Sequence, residues 1–241
     1  MRRPVTFIPT GLDEDVAARE RSTPARPWPY LLFSGEFLAE YDDSFLQVFS
    51  LALQVERARR SGIKLLVIGH EIINKKRLGK RLKSYGLGQY VEFIDHLPQH
   101  ELYQWILGSR ACLLIPGQAM WWANFAKLVD YVALRKPVIA ILPDPSEARS
   151  VLTHARLGVF LDGTQDARVS TLVEFLSGNL SLPAADDEVC RRYTASSQVQ
   201  AFVNVFEQVL EMRKGPALST DDEESSRHMA SHPVESLVRC V

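Results

Sequence analysis

The chain has 241 residues, of which 46% are apolar and 24% are charged, and its formal net charge at pH 7 is −1. This composition is typical of a soluble globular protein, and the charge gives no reason to expect nucleic acid or an anionic membrane as the main partner. No apolar run reaches the roughly 18–20 residues of a membrane-spanning helix. The cysteines, Cys112, Cys190 and Cys240, are too widely spaced to indicate a disulfide framework or a metal site. A cytoplasmic location fits this pattern best.

Strand and helix patterns alternate from Tyr30 onward. Apolar runs predict six strands, in the segments "YLLFSG", "IKLLVIG", "YVEFID", "ACLLIP", "PVIAIL" and "GVFLD". Helical patterns fill the intervals and follow the last strand, over residues 42–61, 72–85, 101–107, 124–134, 145–155, 167–177 and 188–213. The alternation predicts an α/β fold, a doubly wound parallel sheet of about six strands with helices on both faces.

The composition also predicts how the chain is divided. Residues 1–28 are rich in proline and in mixed charges, which is typical of a linker. Residues 29–213 contain the alternating pattern and are expected to form one domain. Residues 214–241 are polar with little periodicity, which indicates a disordered tail.

Ligands of open parallel sheets bind beyond the carboxyl ends of the strands, where helix N-termini present free N–H groups. Three junctions of this kind stand out: Gly35 after the first strand, Gly69 and His70 after the second, and the loop over residues 116–124 after the fourth. Neither the three-glycine dinucleotide fingerprint nor the phosphate loop that ends in Gly-Lys-Ser/Thr occurs in the sequence. Ordinary dehydrogenase or NTPase chemistry is therefore not expected.

Lys127 and Asp130 lie three residues apart on the predicted helix that follows the third junction. Such a pair is commonly a surface salt bridge of a few tenths of a kcal/mol. Its position supports a second interpretation, because an ammonium group suits phosphate oxygens and a carboxylate suits the two hydroxyls of a ribose.

Two further features allow more than one interpretation. Trp121 and Trp122 could stack on a sugar or a base, or could form an interface or a lid over the core. The basic run over residues 75–83 is commonly a solvated helix face, and an anionic membrane surface is the alternative. His70 could reach a phosphate, and the histidine spacing indicates no metal site.

The ordered set of segments resembles a known family. "VTFIPTGLDED", "YLLFSGEF", "IKLLVIGHE", "LGQYVEFIDHLPQHELYQWILGSRACLLIP", "NFAKLVDYVALRKPVIAI" and "SEARSVLTHARLGVFLD" follow, in order, the pattern of one half of certain glycosyltransferases. Over about residues 5–213 the chain resembles the C-terminal, nucleotide-sugar-binding half of GT-B fold enzymes, particularly glycosyltransferase family 4.

The resemblance implies a transferase that moves a sugar from a nucleotide-diphosphate donor, usually with retention and without a bound metal or other cofactor. Asp130 takes the position of the family's ribose-binding glutamate, and Lys127 matches the family's lysine. With Gly35, His70 and Trp122, these residues form the predicted donor site. The resemblance identifies no catalytic residue in this chain.

The sequence departs from the family pattern at four places. Glu36 follows Gly35 where the family has arginine, and a carboxylate there would repel a diphosphate. Tyr41 stands near the place of a second cation, and Trp122 replaces a glutamate. Arg135 replaces a glycine in the turn between helix and strand, where glycine offers more backbone freedom.

In this fold the acceptor binds to a separate N-terminal domain, and the chain has no room for one. The leading hypothesis is therefore the donor-binding half of a glycosyltransferase of polysaccharide or glycan assembly, with a nucleotide-diphosphate sugar as ligand and a separate acceptor-binding domain or chain as partner. A peripheral contact with the inner face of a membrane is compatible with it, and nucleic acid is not expected. The alternative is a non-catalytic regulatory or assembly subunit that has lost the donor site. A sugar-nucleotide epimerase, which also needs two domains, is a third possibility.

Overall fold

A computed structural model describes residues 5–18, 26–38, 41, 43–116 and 125–214. Within these residues six strands form one sheet. The strands are β1 (Tyr30–Ser34), β2 (Lys64–Ile68), β3 (Val91–Ile94), β4 (Ala111–Leu114), β5 (Val138–Ala140) and β6 (Gly158–Phe160). They lie in the order β3-β2-β1-β4-β5-β6, and each neighbouring pair is parallel. The predicted parallel sheet of about six strands is confirmed.

The described helices follow the predicted alternation. They are α1 (Glu14–Ala18), α2 (Ser44–Gln54), α3 (Glu56–Arg59), α4 (Glu71–Ser84), α5 (Gln99–Gly108), α6 (Ala126–Ala133), α7 (Glu147–His154), α8 (Gln165–Ser177), α9 (Asp187–Arg191) and α10 (Ala195–Lys214). The helix predicted over 42–61 is two helices, because Val55 is extended, with φ −78° and ψ 121°. The helix predicted over 188–213 is interrupted at residues 192–194.

Alternate strand residues enter two separate cores, which explains the nearly continuous apolar runs. Leu31 and Phe33 of β1 pack with buried side chains of α2, α4 and α8. Leu32 packs on the other face, among buried side chains of α5, α6 and α7. The sheet is therefore doubly wound, and Cys112 is a fully buried core residue.

Part of the predicted N-terminal linker packs against the domain. Leu12 is buried, its N–H donates to Tyr193 O at 2.8 Å, and its carbonyl accepts from Ala195 N at 2.8 Å. Gly11 lies so close to the same turn that a Cβ atom there would be 2.3 Å from Thr194 O. These contacts hold residues 11 and 12 against the break between α9 and α10.

The chain divides into two compact units between Phe202 and Val203, inside α10. All the features discussed below belong to the first unit. No helix among the described residues is long and apolar enough to cross a membrane. Of the predicted tail over 214–241, Lys214 ends α10 and the rest lies outside the described residues. The predicted domain limits stay predictions.

Candidate functional site

Two glycines shape the carboxyl edge of the sheet where β1 and β2 end. Gly35 has φ 104° and Gly69 has φ 154°, both in the region that favours glycine. A Cβ atom at Gly69 would lie 2.4 Å from Gly35 O, so a side chain there would collide with the neighbouring backbone. The two strand ends therefore approach each other closely, and Gly35 N donates to Ile68 O at 2.7 Å across this junction.

A fully buried asparagine of α4 holds the glycine loop in place. Asn74 Nδ2 donates to Gly35 O at 3.1 Å, and Asn74 Oδ1 accepts from Phe37 N at 2.8 Å. These two bonds satisfy backbone groups on both sides of Glu36. The shape of the loop therefore depends on a side chain from the next βα unit.

Arg77, one turn further along α4, contacts the carboxylate that follows the glycine. Its Nη1 lies 3.1 Å from Glu36 Oε2 and also donates to Phe37 O at 3.2 Å. His70 Nε2 lies 3.8 Å from Glu36 Oε1. Glu36 thus stands between two potential cations, and the negative charge that departs from the family pattern is partly balanced.

Lys127 extends from the first turn of α6 toward Gly35. Its Nζ lies 4.0 Å from the centre of the Phe33 ring and would be 3.6 Å from a Cβ atom at Gly35. Within the part of the chain that the structure describes, no carboxylate or carbonyl oxygen accepts a hydrogen bond from this ammonium group. Burial lowers the pKa of Lys127 to about 8.

Asp130 lies one turn further along α6 and faces α5. Tyr103, which is fully buried, donates through its hydroxyl to Asp130 Oδ1 at 3.3 Å. Burial raises the pKa of Asp130 to about 6, and the hydrogen bond from Tyr103 offsets only part of this effect. Behind both charges, the Tyr131 hydroxyl lies 2.8 Å from Ser34 Oγ and ties α6 to the end of β1.

The structure decides against a mutual salt bridge. Among the ion pairs of the described residues, none joins Lys127 and Asp130; their side chains point to Phe33 and to Tyr103. Both side chains are partly buried, and burial shifts both pKa values toward neutrality. An ammonium group and a carboxylate that are partly desolvated and not paired with each other can bind a ligand with an anionic group at one end and hydroxyl groups at the other.

The predicted site residues fall into two groups. Gly35 and Lys127 lie side by side at the carboxyl edge, and His70 joins them through Glu36. Asp130 lies one turn further along α6 and contacts Tyr103. The ring of His70 also stacks on that of His96, with centroids 6.1 Å apart. Trp122 lies outside the described residues, as does the rest of the loop over 117–124.

Three residues of this edge were not predicted from the sequence, namely Asn74, Arg77 and Tyr103. A signal for the asparagine exists, because Asn74, Leu78 and Leu82 repeat every four residues and all three are buried. A polar residue in an apolar stripe indicates a buried hydrogen-bonding role. Tyr103 and Arg77 have no comparable signal in the sequence.

The structure has one groove beside this edge and another apart from it. One, of about 220 Å3, adjoins the start of α6 and is lined by residues 7–10 with Phe125, Ala126 and Val129. Another, of about 510 Å3, is lined by α7, α9, α10 and the N-terminal segment and includes none of the predicted site residues. The described residues contain no group of three or more His, Cys, Asp or Glu side chains that could hold a metal ion.

No protein-family model matches the chain, and no curated protein matches it by sequence. Solved structures do match its fold. AviGT4, a glycosyltransferase involved in avilamycin A biosynthesis, is 19% identical with a TM-score of 0.58, over 88% of this chain and 59% of that one. HepE from Anabaena, in complex with UDP and glucose, is 13% identical with a TM-score of 0.57, over 82% and 55%.

Sucrose-phosphate synthase from Thermosynechococcus elongatus is 15% identical with a TM-score of 0.56, and the match covers 85% of this chain and 52% of that one. The chain thus spans little more than half the length of these proteins. At such identities the similarity shows the fold alone, and family 4 membership stays a prediction. The described domain has the Rossmann-like α/β fold of GT-B glycosyltransferases.

Proposed function

We propose that the chain is the donor-binding half of a glycosyltransferase that takes its sugar from a nucleotide diphosphate. One observation carries the proposal. Lys127 and Asp130 stand at the ligand-binding edge of a GT-B fold, desolvated and without a mutual ion pair. The ammonium group is placed for the diphosphate beside Gly35, and the carboxylate for the ribose hydroxyls.

The energetics of the two charges support binding as their role. A partly buried ion without a charged partner destabilises the folded protein, so a purely structural role would favour apolar side chains at both positions. A nucleotide-diphosphate sugar supplies a partner for each charge, since its phosphates would neutralise Lys127 and its ribose hydroxyls would donate to Asp130. Hydrogen bonds to charged groups contribute roughly 1.5–3 kcal/mol each.

The glycosyl transfer itself requires an acceptor site. The chain spans 52–59% of the similar structures described above, and we assign acceptor binding to a separate domain or chain. The complex of HepE with UDP and glucose supports a uridine diphosphate sugar as the first ligand to try. Cytoplasmic glycan assembly and membership of glycosyltransferase family 4 belong to the same proposal.

Thermal unfolding with UDP-glucose and GDP-glucose tests the binding role. We expect one of them to raise the melting temperature of the wild-type protein, and Asp130→Ala to remove the increase. Asp187→Ala is the matched control, because Asp187 is an exposed carboxylate that pairs with Arg135 at 2.6 Å at the far end of α6. If Asp130→Ala and Asp187→Ala respond equally to the ligand, Asp130 does not bind the ribose.

A second candidate function rests on Glu36. This carboxylate lies beside the proposed diphosphate position and pairs with Arg77, which suits a non-catalytic relative that has lost its donor site. Such a subunit would show no shift in melting temperature at millimolar nucleotide sugar and would co-purify with a partner chain. A clear shift with either nucleotide sugar would exclude it.

A further inference from the structure

The outer face of α4 carries a concentrated positive charge that the proposed donor site does not use. The helix "EIINKKRLGKRLKS" contains six Lys and Arg residues against one Glu, although the whole chain has a net charge of −1. Six of the 28 Lys and Arg residues of the chain therefore lie on this one helix of 14 residues. A near-neutral net charge conceals such a patch.

The basic residues of α4 divide into two sets by their contacts. Arg77 and Arg81 already have partners in the segment that follows β1, since Arg77 pairs with Glu36 and Arg81 pairs with Asp43 and donates to Tyr41 O. Lys75 pairs with Glu71. Within the residues that the structure describes, the remaining cations form no ion pair; they are Lys76, Lys80 and Lys83.

These three lysines share one stripe with an exposed isoleucine. At about 100° per residue, positions 72, 76, 80 and 83 fall within a sector of about 80°. The buried side chains of the helix, Asn74, Leu78 and Leu82, lie on the opposite side. Ile72, at one end of the stripe, is 83% exposed. We name Ile72, Lys76, Lys80 and Lys83 the α4 stripe.

We propose that the α4 stripe docks on the surface of an anionic lipid membrane. Three unpaired ammonium groups complement the negative charge of lipid headgroups, and an exposed aliphatic side chain beside them can enter the headgroup region. Nucleic acid is a poorer fit, because no aromatic side chain stands in the stripe to stack on bases. The donor site lies at the N-terminal end of the same helix, near His70, so docking would hold the site close to the lipid surface.

Co-sedimentation with vesicles of neutral phosphatidylcholine, alone or mixed equally with anionic phosphatidylglycerol, tests the proposal. We expect the wild-type protein to bind the mixed vesicles at low salt and to release them at 0.5 M NaCl. Salt screens the attraction there, because the Debye length is only about 4 Å. The double variant Lys76→Glu, Lys80→Glu should reduce the partition coefficient about tenfold or more. Ile72→Ser should reduce it less.

The matched control is Arg191→Glu, Arg192→Glu. This variant changes the net charge by the same amount at two exposed positions on the opposite face of the sheet from α4. It should still bind the mixed vesicles. Equal losses in both double variants, equal binding to neutral vesicles, or no binding by the wild-type protein would overturn the proposal. So would tight binding of an oligonucleotide together with no binding of vesicles. Circular dichroism confirms that each variant is folded, and nucleotide binding is measured separately.

Discussion

Two lysines mark the two ends of α6, and their surroundings differ. Lys136, just after the helix, donates through Nζ to Ser109 O at 2.5 Å and to Leu107 O at 3.0 Å. Lys127, at the start of the helix, faces the Phe33 ring and the Gly35 backbone instead. Burial lowers the pKa of both lysines, yet only Lys136 has carbonyl acceptors within the described residues.

The difference separates a structural lysine from the lysine that we propose binds the diphosphate. Lys136 lies at the amino edge of the sheet and bonds to carbonyls at the end of α5, which a helix leaves without internal partners. Lys127 lies at the carboxyl edge, where ligands of open α/β sheets bind. The burial of the Lys136 ammonium group is therefore compensated by carbonyl oxygens, whereas that of Lys127 has no such compensation within the described residues.

Replacing each lysine by methionine should produce opposite effects. Lys127→Met should weaken UDP-glucose binding about tenfold to a hundredfold, because a hydrogen bond to a charged group is lost. It should also stabilise the ligand-free protein by about 1–2 kcal/mol, since the variant no longer buries an ammonium group at position 127. Lys136→Met should leave binding unchanged and destabilise the fold by about 1–2 kcal/mol. Calorimetry measures the affinity for UDP-glucose, and urea unfolding measures the stability. Equal effects of the two substitutions on binding would contradict the distinction between the two lysines.

The pH dependence of binding should follow both charges of the site. Asp130, with a pKa of about 6 in the ligand-free protein, loses its charge below that pH, and Lys127 loses its charge above about 8. Affinity for UDP-glucose, whose diphosphate diester does not titrate in this range, should therefore be greatest between about pH 6 and 8 and fall up to about tenfold per unit outside it. Isothermal titration from pH 5 to 9 measures the profile.

Each limb of the profile has its own control. Lys127→Met should remove the decrease above pH 8, and Asp130→Asn the decrease below pH 6. If the profile of the wild-type protein is flat from pH 5 to 9, neither group binds the ligand through its charge.

Glu36→Gln should strengthen UDP-glucose binding about fivefold. The substitution removes a negative charge beside the proposed diphosphate position and releases Arg77 from its ion pair. Glu92→Gln is a control, because Glu92 of the edge strand β3 pairs with Lys64 of β2, away from the proposed site. A loss of affinity in Glu36→Gln would show instead that the carboxylate itself accepts hydrogen bonds from the ligand.

Arg135→Gly should have the smallest effect and should act on stability alone. Arg135 has φ 54°, in the left-handed region where a Cβ atom is unfavourable. Glycine relieves this cost but loses the ion pair with Asp187, so a net stabilisation of about 0.5 kcal/mol is expected. Arg135→Ala keeps the Cβ atom and loses the ion pair, and it should be less stable than either protein in urea unfolding.

Most of the fold could be predicted from the sequence, because six apolar runs alternate with helical patterns and the central strands are buried on both faces. Helix ends were less predictable. The break at Val55 depends on a single extended residue, and the break before α10 accommodates Leu12, which is more than 180 residues away in the sequence. Such long-range contacts leave no local pattern in the sequence.

The candidate site was predictable only in part. Gly35 was singled out because it follows a strand end, and Lys127 and Asp130 because they match a family pattern; their binding roles stay predictions. The contacts of Asn74, Arg77 and Tyr103 depend on how α4 and α5 pack against the sheet, which no spacing shows. The departure at Arg135 was visible, and its left-handed backbone is the conformation for which the family uses glycine.

One measurement tests the central claim most directly, namely the unfolding of Asp130→Asn with and without UDP-glucose at pH 7. Burial raises the folded-state pKa of Asp130 from its ordinary value of 3.8 to about 6, so its contribution to stability is favourable at low pH and is lost as the pH rises through 6. At pH 7 the ionised carboxylate therefore destabilises the folded protein by about 1–2 kcal/mol. Asparagine retains the acceptor for Tyr103 and removes the charge.

The account predicts that Asp130→Asn melts at a higher temperature than the wild-type protein when no ligand is present, and that UDP-glucose then raises its melting temperature far less. Stability and binding would change in opposite directions, as expected for a charge kept for a ligand. A lower melting temperature without ligand, together with an undiminished response to UDP-glucose, would contradict the account and make Asp130 a structural residue.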